Sequence, residues 1–309
     1  MTIDGSKIPA SSAPVVGATA SDAGHFQIGI DSFVETSFDP RKRAQMSEAD
    51  RVRDLLEEIT LADDVGLDVY GIGEHHRKEY VSSAPAVLMA AAAARTRRIR
   101  LTSAVTVLSS DDPVRVFQDF ATVDLVSQGR AEIILGRGSF IESFPLFGYD
   151  LDDYDTLFSE KLDLLLKLRD QTEATWSGRH RPPVSGQGVY PRPFQKKLPI
   201  RIGVGGTPQS IVRAANLGLP LVLAIIGGEP HRFRPLLDLY RETWKRAGHA
   251  GKPWIGLHSP GFLADTTQQA ADDHFPSYRD AFTVIGKERG WGGGSVTRAQ
   301  YDAARDLTG

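Results

Sequence analysis

The chain has 309 residues, of which 41% are hydrophobic and 24% charged, with no cysteine and a formal net charge of −3 at pH 7. The lack of cysteine excludes disulfides, thiolate catalysis and zinc–thiolate sites, and the near-neutral balance argues against a nucleic-acid or acidic-membrane surface. The apolar fraction is that of an ordinary globular protein, no apolar run is long enough to span a bilayer, and the length suits either two average domains or one large barrel.

Residues 1–24 are rich in Ser, Ala, Gly and Pro and lack an apolar period. They also lack the charged start and compact apolar run of a secretory signal. They read as a disordered tail ahead of a folded domain over 25–309, and a cytoplasmic setting is expected. From Phe26 onward, short apolar runs predict strands at Phe26–Asp31, Asp68–Gly73, Ile99–Leu108, Ala131–Gly136, Pro199–Val204, Leu219–Ile226 and Pro253–Leu257. Near-continuous apolar runs suit strands buried on both faces of a parallel sheet. Helical spacing predicts helices over Ser47–Val65, with Val52, Leu55, Leu56, Ile59 and Ala62 inward, and over Pro113–Val126, capped by Asp112. Further helices are expected at Leu157–Leu168, Pro208–Leu217, Pro230–Ala247, Thr266–Ile285 and Thr297–Asp306. The basic cluster Arg95–Arg98 reads as a solvated helix end.

Strand–helix alternation of this kind predicts a parallel α/β fold. No strand-to-helix turn carries a G-x-G-x-x-G fingerprint, and Gly203-Val204-Gly205-Gly206 has the wrong spacing, so a (β/α)₈ TIM-type barrel is expected rather than a doubly wound sheet. Seven strands are evident. The eighth is expected beyond Gly309, if the sequence stops short of a natural C-terminus, or the barrel closes unconventionally. The Pro/Gly/basic excursion Gly178–Lys197 reads as an extended loop or hairpin over one mouth of the barrel.

In such barrels functional groups follow the strands. After the second strand comes Gly73-Glu74-His75-His76-Arg77. Adjacent side chains at a strand end point to opposite sides, so this trio cannot converge on one metal ion, and a histidine poised as proton donor is expected. A histidine that only bonds neighbouring loops is the alternative. After the third strand, Ser103–Ala104–Val105 offers small residues against which a flat ring could lie, or which simply pack the interior. After the fourth, Gly136-Arg137-Gly138-Ser139 sets a guanidinium between glycines, a pattern suited to forking onto phosphate. After the fifth, Gly205-Gly206-Thr207-Pro208-Gln209-Ser210 enters a helix whose free amides and hydroxyls form an anion site. Arg137 and this helix start are expected to share one phosphate.

Taken together, Glu74-His75-His76, the block Val107–Arg115 through Ser127–Gly138, and the segment from Gly206-Thr207 to Gly218-Leu219-Pro220 resemble the bacterial luciferase-like, flavin-dependent oxidoreductase family. The resemblance runs from about Phe26 to Leu263. It implies an enzyme that binds FMN, with Arg137, the Gly206-Thr207 backbone and the Thr207 and Ser210 hydroxyls on the phosphate. It implies a cis peptide at Ala104–Val105 supporting the isoalloxazine ring, and places His75 near the reactive flavin edge, to stabilise a flavin hydroperoxide or donate a proton. Gly206 stands where luciferase subunits carry an acidic residue. The working expectation is a two-component monooxygenase that takes reduced FMN from a separate flavin reductase and oxidises a small organic substrate, as a homodimer. Phe140, Phe144, Phe147 and Tyr149 are expected to wall the pocket or to pack locally. The alternatives are a deazaflavin-dependent reductase, a metal-dependent hydrolase using His75, His76 and His258, and a non-catalytic flavin-binding homologue.

Overall fold

The computed structural model describes residues 26–36, 38–39, 44–138, 140–226, 229–289 and 294–303. The expected N-terminal tail, Ser139, the glycines 292–293 and the end of the last expected helix lie outside them. The chain divides into two units, one reaching to Ile200 and one starting at Arg201.

The first unit alternates strands and helices: β1 (Gly29–Ser32), the short antiparallel pair β2 (Phe38–Asp39) and β3 (Ala44–Gln45), α1 (Glu48–Asp64), β4 (Val69–Ile72), α2 (Pro85–Ala93), β5 (Arg100–Ser103), β6 (Thr106–Val107), α3 (Pro113–Ser127) and β7 (Ala131–Gly136). It continues through α4 (Ser143–Phe147), α5 (Tyr154–Asp170) and the strands β8 (Glu173–Trp176) and β9 (Val184–Gly188). β1, β4, β5 and β7 are parallel neighbours, with Ser32 opposite Ile72, Ile72 opposite Ser103 and Leu101 opposite Ala131. All six β7 residues are buried, as a strand covered on both faces requires. The run Ile99–Leu108 is two strands rather than one, interrupted by a cis peptide at Ala104–Val105. β6 then realigns on β7, with Val107 opposite Gly136.

In the second unit, β10 (Ile200–Val204, whose first residue closes the first unit) is followed by α6 (Pro208–Asn216), β11 (Leu221–Ala224), α7 (Arg234–Arg246), β12 (Ile255–His258), α8 (Thr267–Arg289) and α9 (Arg298–Ala303). β10, β11 and β12 are parallel. The two units thus supply the seven parallel strands that the sequence predicts, in the strand–helix rhythm of a TIM-type barrel. No eighth strand of that series occurs among the described residues.

The caps follow the sequence signals. Ser47 accepts from the Asp50 amide, and Asp112 from those of Val114 and Arg115, each satisfying a helix-start N–H. On α1 the inward stripe includes Arg51 in place of the expected Val52, which is half-buried. Arg51 bonds Glu58 at 3.1 Å and Ser32 Oγ at 2.9 Å, while Tyr70 Oη donates to Glu58 at 3.0 Å.

Two arginines of the sequence motifs are structural. Arg98 is not a purely solvated helix end: its guanidinium donates to the Asp63 carbonyl at 2.7 Å. The Asp63 carboxylate in turn receives the amides of Arg97, Arg98 and Ile99. Burial would raise the Asp63 pKa, but those three amides outweigh it and hold the carboxyl below its usual range. Arg130 is buried and donates to the carbonyls of Ser127, Ile99, Ala93 and Thr96 and to Thr96 Oγ1, all within 3.1 Å. It therefore stitches the end of α2 to the α3–β7 turn. Arg130→Met keeps the volume but strands those acceptors, so chemical denaturation should show a loss of about 3 kcal/mol.

The excursion is a hairpin, but its strands begin earlier than the sequence suggested. β8 and β9 pair antiparallel and lie against helices. Trp176 Nε1 donates to Asp163 at 2.8 Å, Arg192 donates to the carbonyls of Leu168, Arg169 and Gln171, and Gln118 donates to the Tyr190 carbonyl. Its last turn is tied to the start of β7, where Gln195 bonds Asp124 and the Ala131 carbonyl. Arg181 reaches Asp112, 2.7 Å away. Pairing the two strands satisfies their backbone and lets Trp176, Val184 and Val189 be buried.

Candidate active site

In the first unit, His75 sits just beyond β4 inside a ring of aromatic side chains. Phe33 meets it edge-on at 4.9 Å between centroids, Phe140 at 5.1 Å, and Tyr80 lies tilted at 4.4 Å. Local chemistry holds this arrangement. Ser82 Oγ donates to the Gly73 carbonyl at 2.6 Å, and the His75 amide donates to the Ser82 carbonyl at 2.8 Å. Gly73 is required, because a Cβ there would stand 2.6 Å from Phe33 Cδ1. Beside Phe33, the fully buried Val34 has φ of 60°, a left-handed conformation unusual for a β-branched residue and of the kind found at functional sites.

Only 8% of His75 is exposed, and its Nε2 is buried without a hydrogen-bond partner. Burial, then the nearby His76 and Arg77 charges, lowers its pKa to about 4. Near neutral pH the ring is an uncharged imidazole, able to offer or accept one hydrogen bond at Nε2.

Glu74 and His76 fall on a common side, as strand alternation requires. Glu74 Oε1 is 3.0 Å from His76 Nε2, and its Oε2 accepts from the Val107 amide at 2.9 Å. Between β5 and β6, Ala104 and Val105 form a floor that depends on glycine at two neighbouring strands. A Cβ on Gly71 would be 2.9 Å from Ala104 Cβ, and one on Gly136 would be 2.4 Å from Val105 Cγ2. Gly136 thus makes room for Val105.

A lysine of α5 is buried against the loop that follows β6. Lys161 is 1% exposed; its Nζ donates to the Ser109 carbonyl at 2.7 Å and stands 3.8 Å from the Tyr149 ring centre. Burial lowers its pKa to about 8. Burial and then the Glu74 charge raise the Asp111 pKa to about 6. The folded state therefore retains a proton on Asp111 that the unfolded chain releases, and stability is lost as pH rises through about 6. Asp111→Asn should raise the unfolding free energy by about 1–2 kcal/mol at pH 8 and leave it unchanged below pH 4, as thermal melts across that range would show.

Arg137 forms an ion pair with Asp155, and its guanidinium lies over Tyr154, 4.8 Å from the ring centre. Tyr154 Oη donates to the Gly138 carbonyl at 2.9 Å, and Gly138 adopts φ of 82°. The four aromatics of this loop divide between the two expectations. Phe144 is fully buried and stacks on Tyr154, and Tyr149 packs on Lys161. Phe140 and Phe147 instead face the histidines, Phe147 at 5.0 Å from His76.

In the second unit, Thr207 takes the cap position of α6 with Pro208 in the first turn, yet its side chain does not close onto the helix amides. Gly206 has φ of 117°, and a Cβ on Gly205 or Gly206 would meet nothing within 4 Å. Ser210 is buried in the first turn.

Among the described residues no three His, Cys, Asp or Glu side chains could hold a metal ion, and His76 Nε2 is committed to Glu74.

The luciferase-like monooxygenase family model matches residues 32–306. The chain belongs to the luciferase-like monooxygenase family. Its similarity to the N-acetyl-S-alkylcysteine monooxygenase of Bacillus subtilis is 28% identity over 78% of this chain and 70% of that one. With the Sinorhizobium fredii protein y4vJ the identity is 35%, over 67% of this chain and 58% of that protein. The chain spans less than two thirds of the length of several such curated relatives. Among solved structures, monooxygenase RslO1 from Streptomyces bottropensis is similar with TM-score 0.76 and 25% identity, covering 90% of this chain and 82% of that one. The oxygenating constituent of 3,6-diketocamphane monooxygenase from Pseudomonas putida, in complex with FMN, has TM-score 0.71 and 18% identity over 91% and 79% of the chains. An F420-dependent secondary alcohol dehydrogenase shares the fold with TM-score 0.67 and 19% identity, over 80% and 73%.

The sequence missed Phe33, Tyr80, Asp111 and Lys161 as parts of this site. Only Asp111 carried a signal, as a second carboxylate immediately before the α3 cap.

Proposed function

We propose that this luciferase-like chain acts as an FMN-dependent, two-component monooxygenase that receives reduced FMN from a separate reductase and oxidises a small organic substrate. The reading is carried by the unpartnered, buried Nε2 of His75, on a strand end neighbouring a floor of small residues. When bound, reduced FMN supplies the two electrons with which dioxygen delivers one atom to the substrate and leaves the other as water. Ala104 and Val105 would support the ring. In the first unit Arg137 is proposed as a phosphate-binding residue, with Gly136 keeping Val105 in place; in the second unit Gly205, Gly206, Thr207 and Ser210 are proposed for FMN by the family resemblance. Ser139, assigned to the phosphate from the motif, lies outside the described residues.

The protein's own contributions are positioning, dryness and one hydrogen bond. Phe33, Tyr80 and Phe140 exclude water from His75, which strengthens any hydrogen bond it makes to reacting atoms. The FMN complex of a structural neighbour supports this coenzyme; the F420-dependent neighbour defines the rival. Fluorescence titration with FMN and F420, followed by oxygen uptake with each reduced coenzyme, decides between them. Micromolar FMN affinity and FMN-dependent oxygen uptake are expected. Hydride transfer from reduced F420 without oxygen uptake would overturn the proposal.

A cytoplasmic homodimer completes the reading. No helix among the described residues is long and apolar enough to cross a membrane. α2 (PAVLMAAAA) has no polar side chain, yet Val87 is 68% exposed, with Leu61 and Val65 of α1 similarly open, as suits a face covered by a second subunit.

A further inference from the structure

We propose that Glu74 is a positioning residue, whose carboxylate fixes the tautomer of His76 and ties the Ala104–Val107 segment to the β4 end. This rests on the reading of Ala104–Val105 as the ring support. Glu74 is buried, 8% exposed, and each carboxylate oxygen has its own partner on a different strand end. Oε1 meets His76 Nε2 at 3.0 Å and Oε2 takes the Val107 amide at 2.9 Å. An ionised carboxylate only accepts hydrogen bonds, so His76 must carry its hydrogen on Nε2. The Nδ1 side of a neutral His76 is then left as an acceptor, its ring steadied by the edge of Phe147 at 5.0 Å. The Val107 amide is the first backbone donor after the realigned Thr106, so the same carboxylate also anchors the bend that contains Ala104 and Val105. The titratable groups that act on it are His76 on its own loop and Asp111 ahead of α3.

Glu74→Gln separates tautomer control from packing. The glutamine carbonyl can still accept from Val107, but its amide must now donate to His76 Nε2, which moves the imidazole hydrogen to Nδ1. Nitrogen-15 NMR of the histidines in the full chain should therefore show one ring changing from the Nε2–H to the Nδ1–H form, with the melting temperature within a few degrees of wild type. Glu74→Ala should lower FMN affinity at least tenfold by fluorescence titration, while Glu74→Gln stays within about threefold. An unchanged His76 tautomer in the Gln variant, or wild-type FMN affinity in the Ala variant, overturns the proposal. If the wild-type chain binds no FMN, the proposed function fails, and the tautomer measurement still decides the role of Glu74.

Discussion

His75→Phe lowers reduced-FMN-dependent turnover by about 10²–10³-fold while leaving FMN affinity within a few-fold of wild type. The size is that of a positioned hydrogen-bonding or proton-transferring group removed from a reacting centre. Phenylalanine is the informative replacement because the surrounding cage is aromatic: Phe33, Tyr80 and Phe140 already present edges and faces to the ring. The fold should tolerate it, and only the hydrogen bond is lost. The same variant carries a signature in stability. With its pKa lowered from 6.5 to about 4 by burial, His75 is neutral in the folded state, whereas the unfolded chain protonates it below 6.5. The folded protein thus has its full stability above pH 6.5 and loses it as pH falls toward 4. Two and a half pH units correspond to about 3 kcal/mol. Thermal melts from pH 8 to pH 4 should show that acid loss in the wild type and its absence in His75→Phe. If both proteins lose stability in parallel, His75 is not the buried neutral group, and if turnover with alkanal, thioether and ketone probes survives, it is not at the reacting centre.

The fold was legible in the sequence because its signals are local. β7 was located with its correct bounds from Ala131–Gly136, since a strand buried on both faces is apolar throughout. Asp112 announced α3 because a cap is a short-range hydrogen bond. α2 was anticipated only at its end, from the basic cluster Arg95–Arg98, for the converse reason: a helix without a polar residue has no period to read. β8 was missed because its alternation of exposed and buried residues, Glu173 to Trp176, is only four residues long. Within the site, the motif residues His75, Arg137 and Thr207 could be named because their types are chemically unusual after a strand. Their surroundings could not. Tyr80 reaches His75 through a turn pinned by Ser82, and Lys161 approaches Ser109 from 52 positions away. Contacts of that kind are set by tertiary packing, and so is the burial that lowers the His75 pKa.

Arg137→Ala should weaken FMN binding by roughly 30–100-fold and leave riboflavin binding unchanged. The reasoning is electrostatic. A guanidinium that forks onto a phosphate dianion makes charge-assisted bonds, and removing one such partner costs about 2–3 kcal/mol. Riboflavin has the same ring and ribityl chain but no phosphate, so it reports whatever Arg137 contributes by packing alone. The guanidinium contacts Asp155 and the face of Tyr154. Asp155 is the more exposed partner, at 67%, so it is the group that solvent can most readily release. Asp155→Asn removes a competing anion and should tighten FMN two- to threefold at low salt, an effect that fades as screening increases. Tyr154 has a different part. Its hydroxyl is fixed to the Gly138 carbonyl, so the ring continues to orient the guanidinium after Asp155 lets go. Tyr154→Leu should therefore cost FMN affinity, by less than Arg137→Ala, and again spare riboflavin. Equal losses for FMN and riboflavin in Arg137→Ala would mean that the arginine only braces the 137–155 loop, and the phosphate would have to be sought at the α6 start without it.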